Sequence, residues 1–147
     1  MSKEAQYDLL ERQRAALLAG ETDAIAKMAN VAAVLHGEFG FWWTGFYRVA
    51  GEELILGPFQ GPVACMHIPY GKGVCGTAWA RNASVVVPDV EAFPGHIACS
   101  AASRSEIVVP VHGPDGSVTA VLDIDSDKLA TFDETDRVWL EKIVTLL

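Results

Sequence analysis

The chain is 147 residues long, half apolar and one-fifth charged, with a formal net charge of -8 and no cluster of lysine and arginine. That length supports one domain around one core, and an acidic chain without a basic footprint is not expected to bind nucleic acid. No apolar run approaches the ~20 residues that span a membrane, and the first twenty residues carry charge throughout, unlike a signal peptide. A cytoplasmic setting is expected, where cysteines serve catalysis or metal binding more often than structural bridges.

The elements follow in chain order. Residues 4–18 read as a helix with Tyr7, Leu10, Leu17 and Leu18 on one side. Thr22 and Asp23 open a second helix, in which Ile25, Met28, Ala29, Ala32 and Leu35 recur at helical spacing until Gly37 and Gly40. FWWTGFYRV (41–49) and EELILGPF (52–59), split by Ala50-Gly51, form a hairpin, and a third strand covers 63–68. The glycine-punctuated stretch 70–76 leads into a short helix through Ala80, and SVVVP (84–88) is a short strand. Residues 89–105 are a long irregular segment, the kind that is usually functional. A second hairpin joins 106–112 to 117–125 through Gly113-Pro114-Asp115-Gly116, and Asp133 with Asp136 caps a closing helix bearing Val138, Leu140, Ile143 and Leu147. The expected fold class is α+β, with an antiparallel sheet of five or six strands and helices packed on it.

Chemistry concentrates in three groups. Cys65, Cys75 and Cys99 each sit among small or glycine-rich neighbours rather than in aliphatic runs. Asp123 and Asp125 in VLDIDS share one strand face while Leu122 and Ile124 share the other. Two carboxylates there repel and raise at least one pKa if the face is covered, whereas a solvated face leaves them ordinary. Glu106 begins the neighbouring strand, so three acids converge at one end of the sheet, able to hold an ammonium group or to keep one acid protonated. Trp43 and Tyr47 share strand parity with Gly45 between them, which leaves either core filling or a gap between two rings for a small apolar or sulfur-bearing group. Cys65-Met-His67 and His96-Ile-Ala-Cys99 match no zinc pattern, and GKGVCGT lacks the ending of a phosphate loop. No metal or organic cofactor is therefore expected.

The strings GPFQGPVAC, IPYGKGVCGTAWA, DVEAFPGHIACSAASRSEIVVPV and VLDIDS resemble those of the free methionine-(R)-sulfoxide reductases, small enzymes built on the GAF fold. The resemblance runs from about Glu21 to the C-terminus and implies one GAF domain over 1–147, with residues 1–20 as an N-terminal helix. It implies Cys99 as nucleophile, Cys65 as resolving thiol, Cys75 as accessory thiol, and Trp43, Tyr47, Glu106, Asp123 and Asp125 around the substrate. It also implies thioredoxin as reductant and a homodimer. The substrate carboxylate would meet backbone N–H groups of the 89–105 segment. The alternative is a GAF module that senses a small ligand or redox state.

Overall fold

The computed structural model describes every residue except Ala98, Ser100 and Ala101, which lie within the 89–105 segment. Its centre is a six-stranded antiparallel sheet. In chain order the strands are β1 (Trp43–Ala50), β2 (Glu53–Gln60), β3 (His67–Pro69), β4 (Val85–Val87), β5 (Ser105–His112) and β6 (Val118–Ser126). Their order across the sheet is β3-β2-β1-β6-β5-β4, so the two hairpins meet where β1 pairs with β6. The helices are α1 (Lys3–Leu17), α2 (Ala24–Phe39), α3 (Gly73–Arg81) and α4 (Glu134–Ile143).

Alternation along the central strands gives the sheet two different faces. Phe46, Ile107, Val109, Leu122 and Ile124 point to one side, into a core completed by Leu35 of α2, Leu140 of α4 and Tyr7 of α1. Residues one position away, among them Trp43, Tyr47, Val108 and Val121, point to the other side and pack with Val74, Cys75 and Ala78 of α3. Three helices thus cover one face. Among the described residues, the nine-residue α3 is the one α-helix on the other, lying over β5 and β6. The remainder of that second face is left to loops, and there the chemistry collects.

Local signals set the helix ends. Asp23, not Thr22, caps α2, its carboxylate accepting from Ala26 N–H at 2.9 Å. Gly37 lies inside α2, which ends at Gly40 with a left-handed φ of 67°. Asp133 and Asp136 form the expected capping box of α4. Asp136 also accepts from the Tyr7 hydroxyl at 2.6 Å and from Lys3 Nζ at 2.8 Å, which fastens α1 to α4. Leu17, Ile25 and Val138, expected on buried faces, are exposed.

The third strand is shorter than the sequence suggests, and the reason bears on the site. Residues 61–65 do not continue the ladder, which ends where Met66 O accepts from Leu56 N–H at 3.0 Å, and Val63 is 88% exposed. Two aromatic side chains hold this segment instead. Trp43 Nε1–H donates to Pro62 O at 3.0 Å, and the Tyr47 hydroxyl donates to Cys65 O at 2.8 Å. The segment is thereby drawn across the end of the second face, carrying Cys65 with it.

Candidate active site

A small cleft of about 50 Å³, open to solvent, lies on this second face. Its floor is the sheet and its walls are the 61–66 segment, the start of α3 and the loop before β5. Trp43, Tyr47, Cys75, Cys99, Glu106, Asp123 and Asp125 all line it. Register explains the convergence of the acids. Asp125 of β6 pairs with Trp43 of β1 on one side and with Glu106 of β5 on the other, and Asp123 pairs with Gly45 and Val108. Like charges directly opposite each other on one sheet face are unfavourable unless something neutralises them.

No lysine or arginine lines the cleft among the described residues, so protons take that role. Burial pushes the Glu106 carboxyl well above the usual range, and the nearby charges of Asp123 and Asp125 push it further. Asp125 is raised well above the usual range by burial and by Asp123, against a hydrogen bond that Ser103 Oγ donates to it at 3.3 Å. Asp123 is also raised by burial, but hydrogen bonds from Glu106 and Cys75 pull it back down. All three carboxyls are thus raised together, and as one coupled cluster they hold protons above the usual carboxylate range. Among the described residues, Asp123 Oδ1 is buried and has no hydrogen-bond partner. A proton held by the neighbouring acid or thiol can satisfy it.

The three thiols occupy distinct positions. Cys65 and Cys99 form a disulfide, with Cα atoms 5.4 Å apart and a sequence separation of 34. Both are partly exposed. Cys99 lines the cleft, whereas Cys65 sits behind it. Cys75, in the first turns of α3, is buried and unbridged, and burial together with Asp123 holds its thiol well above the usual pKa. Such a thiol stays protonated and is a poor nucleophile. Tyr47 is likewise raised by burial and by Asp123, so its hydroxyl remains a donor.

Two sequence expectations change. The gap over Gly45 is closed: a Cβ there would lie 2.4 Å from Phe59 Cβ and 2.6 Å from the Trp43 ring. Trp43 leans over Gly45 and stacks on both Tyr47 and Phe59, so the rings make a wall rather than two sides of a slot. His96, considered in the sequence only as a metal ligand, also lines the cleft, with Nε2 3.7 Å from Glu106 Oε1. Burial lowers the His96 pKa and raises that of Glu106, so this is an approach of neutral groups and not an ion pair. Its signal in the sequence was only its position three residues before Cys99. The proposed N–H contacts of the 89–105 segment fall partly on Ala98, Ser100 and Ala101, outside the described residues.

Known proteins share this arrangement. The GAF domain model matches residues 19–147. GAF domain-containing protein A of Dictyostelium discoideum is 55% identical, over 99% of this chain and 92% of that relative. Free methionine-R-sulfoxide reductase of Escherichia coli is 46% identical, over 100% of this chain and 89% of that protein. Among solved structures, free methionine-R-sulfoxide reductase from Neisseria meningitidis in complex with its substrate superposes with a TM-score of 0.96 at 52% identity, covering 99% of this chain and 88% of that one. By sequence match and by superposition alike, the chain belongs to the GAF family and, within it, to the free methionine-(R)-sulfoxide reductases.

Proposed function

We propose that this chain reduces free methionine-(R)-sulfoxide to methionine, with Cys99 attacking, Cys65 resolving and Glu106 supplying the first proton. The observation that carries the assignment of roles is the Cys65–Cys99 bridge at the edge of a cleft floored by buried Glu106 and Asp123 and partly buried Asp125. The Cys99 thiolate attacks the sulfoxide sulfur while the Glu106 carboxyl protonates the sulfoxide oxygen. The oxygen leaves with the Cys99 sulfur as a sulfenic acid, and methionine departs with its sulfur reduced by two electrons. The Cys65 thiolate then attacks the sulfenic sulfur. An S–S bond forms, and the hydroxyl takes a proton and leaves as water. One sulfoxide and two thiols thus become one methionine, one disulfide and one water, without metal or organic cofactor.

An external dithiol returns the bridge to thiols by exchange, and thioredoxin is our candidate. In support, the bridge is partly exposed and flanked by the exposed apolar side chains of Val63, Met66 and Ile97. Among the described residues no helix is long and apolar enough to cross a membrane. A reducing cytoplasm suits a bridge that must be reopened each cycle. A homodimer belongs to the same reading, on family grounds, and sedimentation equilibrium tests it. A sensor module would use the cleft but has no need of a bridge between two loops.

The test is NADPH consumption through thioredoxin reductase and thioredoxin with free methionine-(R)-sulfoxide as substrate. Cys99→Ser should abolish turnover. Cys65→Ser should release one methionine per chain and then stall. Sustained cycling by Cys99→Ser would sink the assignment of the nucleophile.

A further inference from the structure

The groups that hold protons in the cleft are also a ligand set. Cys75 Sγ, one carboxylate oxygen of Glu106 and one of Asp123 all lie within 4.8 Å of one another, and all three residues are buried. His96 lies outside that group of three but faces it from the cleft side, its Nε2 3.7 Å from Glu106 Oε1, near enough for its ring to complete the set. One sulfur, one imidazole nitrogen and two carboxylate oxygens are the donors that tetrahedral Zn²⁺ accepts, whereas Mg²⁺ and Ca²⁺ favour all-oxygen shells.

An independent observation points the same way. Asp123 is 5% exposed, and its Oδ1, in the lining of the cleft, has no hydrogen-bond partner. A buried carboxylate oxygen without a donor is costly. No lysine or arginine lines the cleft among the described residues, so a proton, the substrate's ammonium group or a metal cation must neutralise it. Cys75 meanwhile has no nucleophilic task in the proposed reaction. As a ligand it would lose its proton to solvent when the ion binds.

We infer that Cys75, Glu106, Asp123 and His96 form a reversible binding site for a zinc-class divalent cation, and that the bound ion blocks sulfoxide reduction. The inhibitory half rests on the reductase reading. The ion is a competitor for the acids, not a resident cofactor. It displaces the proton that Glu106 would pass to the sulfoxide oxygen, and it occupies the floor beneath Cys99.

The experiment uses metal-stripped full-length protein in its oxidised form, in which the Cys65–Cys99 bridge removes those two sulfurs from ligation. Co²⁺ titration should saturate at one equivalent and show thiolate-to-cobalt charge-transfer absorption that Cys75→Ser abolishes. Competition with a chromophoric zinc chelator should show zinc affinity falling about 100-fold in Cys75→Ser and in Asp123→Asn, and about tenfold in His96→Ala. His96 sits on a loop, so His96→Ala keeps the test valid should a buried variant fail to fold by circular dichroism. No saturable binding by the wild type, or an unchanged cobalt spectrum in Cys75→Ser, overturns the site. For the inhibitory half, prereduced metal-free enzyme should release one methionine per chain, one equivalent of Zn²⁺ should block this, and EDTA should restore it. An unchanged rate with zinc bound overturns inhibition. Failure of the metal-free enzyme to turn over would instead overturn the reductase reading, and the cobalt spectrum judges the site without it.

Discussion

Gly45→Ala is a one-carbon test of how the cleft wall is built. The new Cβ would sit 2.4 Å from Phe59 Cβ and 2.6 and 2.9 Å from two atoms of the Trp43 ring. Carbon atoms in contact prefer about 3.5–4.0 Å, so the overlap is about 1 Å on both sides. Phe59 Cβ is fixed to the backbone of β2 and cannot rotate away, which leaves two outcomes. Either β1 and β2 separate next to the existing register shift between Gly45 and Tyr47, or the indole leaves its place. Moving the indole breaks its 3.0 Å hydrogen bond to Pro62 O and its stack on Tyr47 and Phe59. Overpacking and one broken hydrogen bond together cost about 2–4 kcal/mol. For a chain of this size that is a fall in Tm of roughly 6–16 °C.

The functional consequence is separable from the loss of stability. Trp43 also holds the segment that carries Cys65, so displacing it alters both the wall and the seat of the resolving thiol. Below its own Tm, Gly45→Ala should show a raised KM for the sulfoxide and slower closure of the bridge after the first turnover. Differential scanning calorimetry and rapid-quench measurement of methionine release would read the two effects. A variant that melts within about 2 °C of wild type with unchanged KM would refute the packing argument, because it would mean that Trp43 does not lie locked over this position.

Three further expectations follow from the same geometry. Glu106 and Asp125 are raised above the usual carboxylate range, so above that range the folded state holds protons the unfolded chain has released, and stability falls as pH rises toward their folded values. Urea midpoints of metal-free protein between about pH 5 and 8 should show this fall, flattened in Glu106→Gln; equal slopes in the two proteins would count against the buried acid. The Cys65–Cys99 bridge spans 34 residues of sequence, for which loop closure stabilises the oxidised form by up to about 4 kcal/mol, and an oxidised protein melting no higher than the reduced one contradicts it. Met66→Asp, on an exposed side chain beside the bridge, should raise the KM for thioredoxin about tenfold, some 1.4 kcal/mol, yet leave turnover with dithiothreitol unchanged; equal effects on both reductants would remove Met66 from the docking surface.

Much of this was readable from short-range pattern. Strict alternation in VLDIDS separated Leu122 and Ile124 from Asp123 and Asp125, but it left open whether the acid face is solvated or covered, and the fold covers it. The Gly113–Gly116 turn set the register that brings Glu106 opposite Asp125. The capping box of α4 was legible because both of its residues are local. What failed depends on contacts distant in sequence. Residues 63–68 have strand-like composition, but hydrogen bonds from Trp43 and Tyr47 draw the first part off the ladder. Gly45 looked like the floor of a slot because parity says which face a ring is on, not which way it leans. His96 carried no signal beyond its position three residues before Cys99. Its place beside Glu106 follows from how the loop before β5 folds back over the sheet.

The acids were expected either to hold the substrate's ammonium group or to deliver a proton, and their burial divides these tasks between them. Were all three ionised, the cleft would carry three negative charges with no lysine or arginine in its lining, and repulsion in a desolvated site rules that state out. All three are raised, so the cluster keeps protons bound; in the proposed reading Glu106 and Asp125 hold them and the remaining charge falls on Asp123, which accepts from Glu106 and Cys75. Proton delivery then belongs to Glu106 and attraction of a cation to Asp123. Glu106→Gln keeps the shape and a hydrogen-bond donor but cannot give up a proton, so kcat should fall about 10²–10⁴-fold with little change in KM. Asp123→Asn should instead raise the KM for the free amino acid and narrow its advantage over N-acetylmethionine sulfoxide, which lacks the ammonium charge. Steady-state kinetics on both substrates separates the two. Wild-type kcat in Glu106→Gln would leave the proton donor elsewhere in the cleft. If Asp123→Asn still rejects the acetylated substrate fully, selectivity for the free amino acid arises from the enclosing loops rather than from charge.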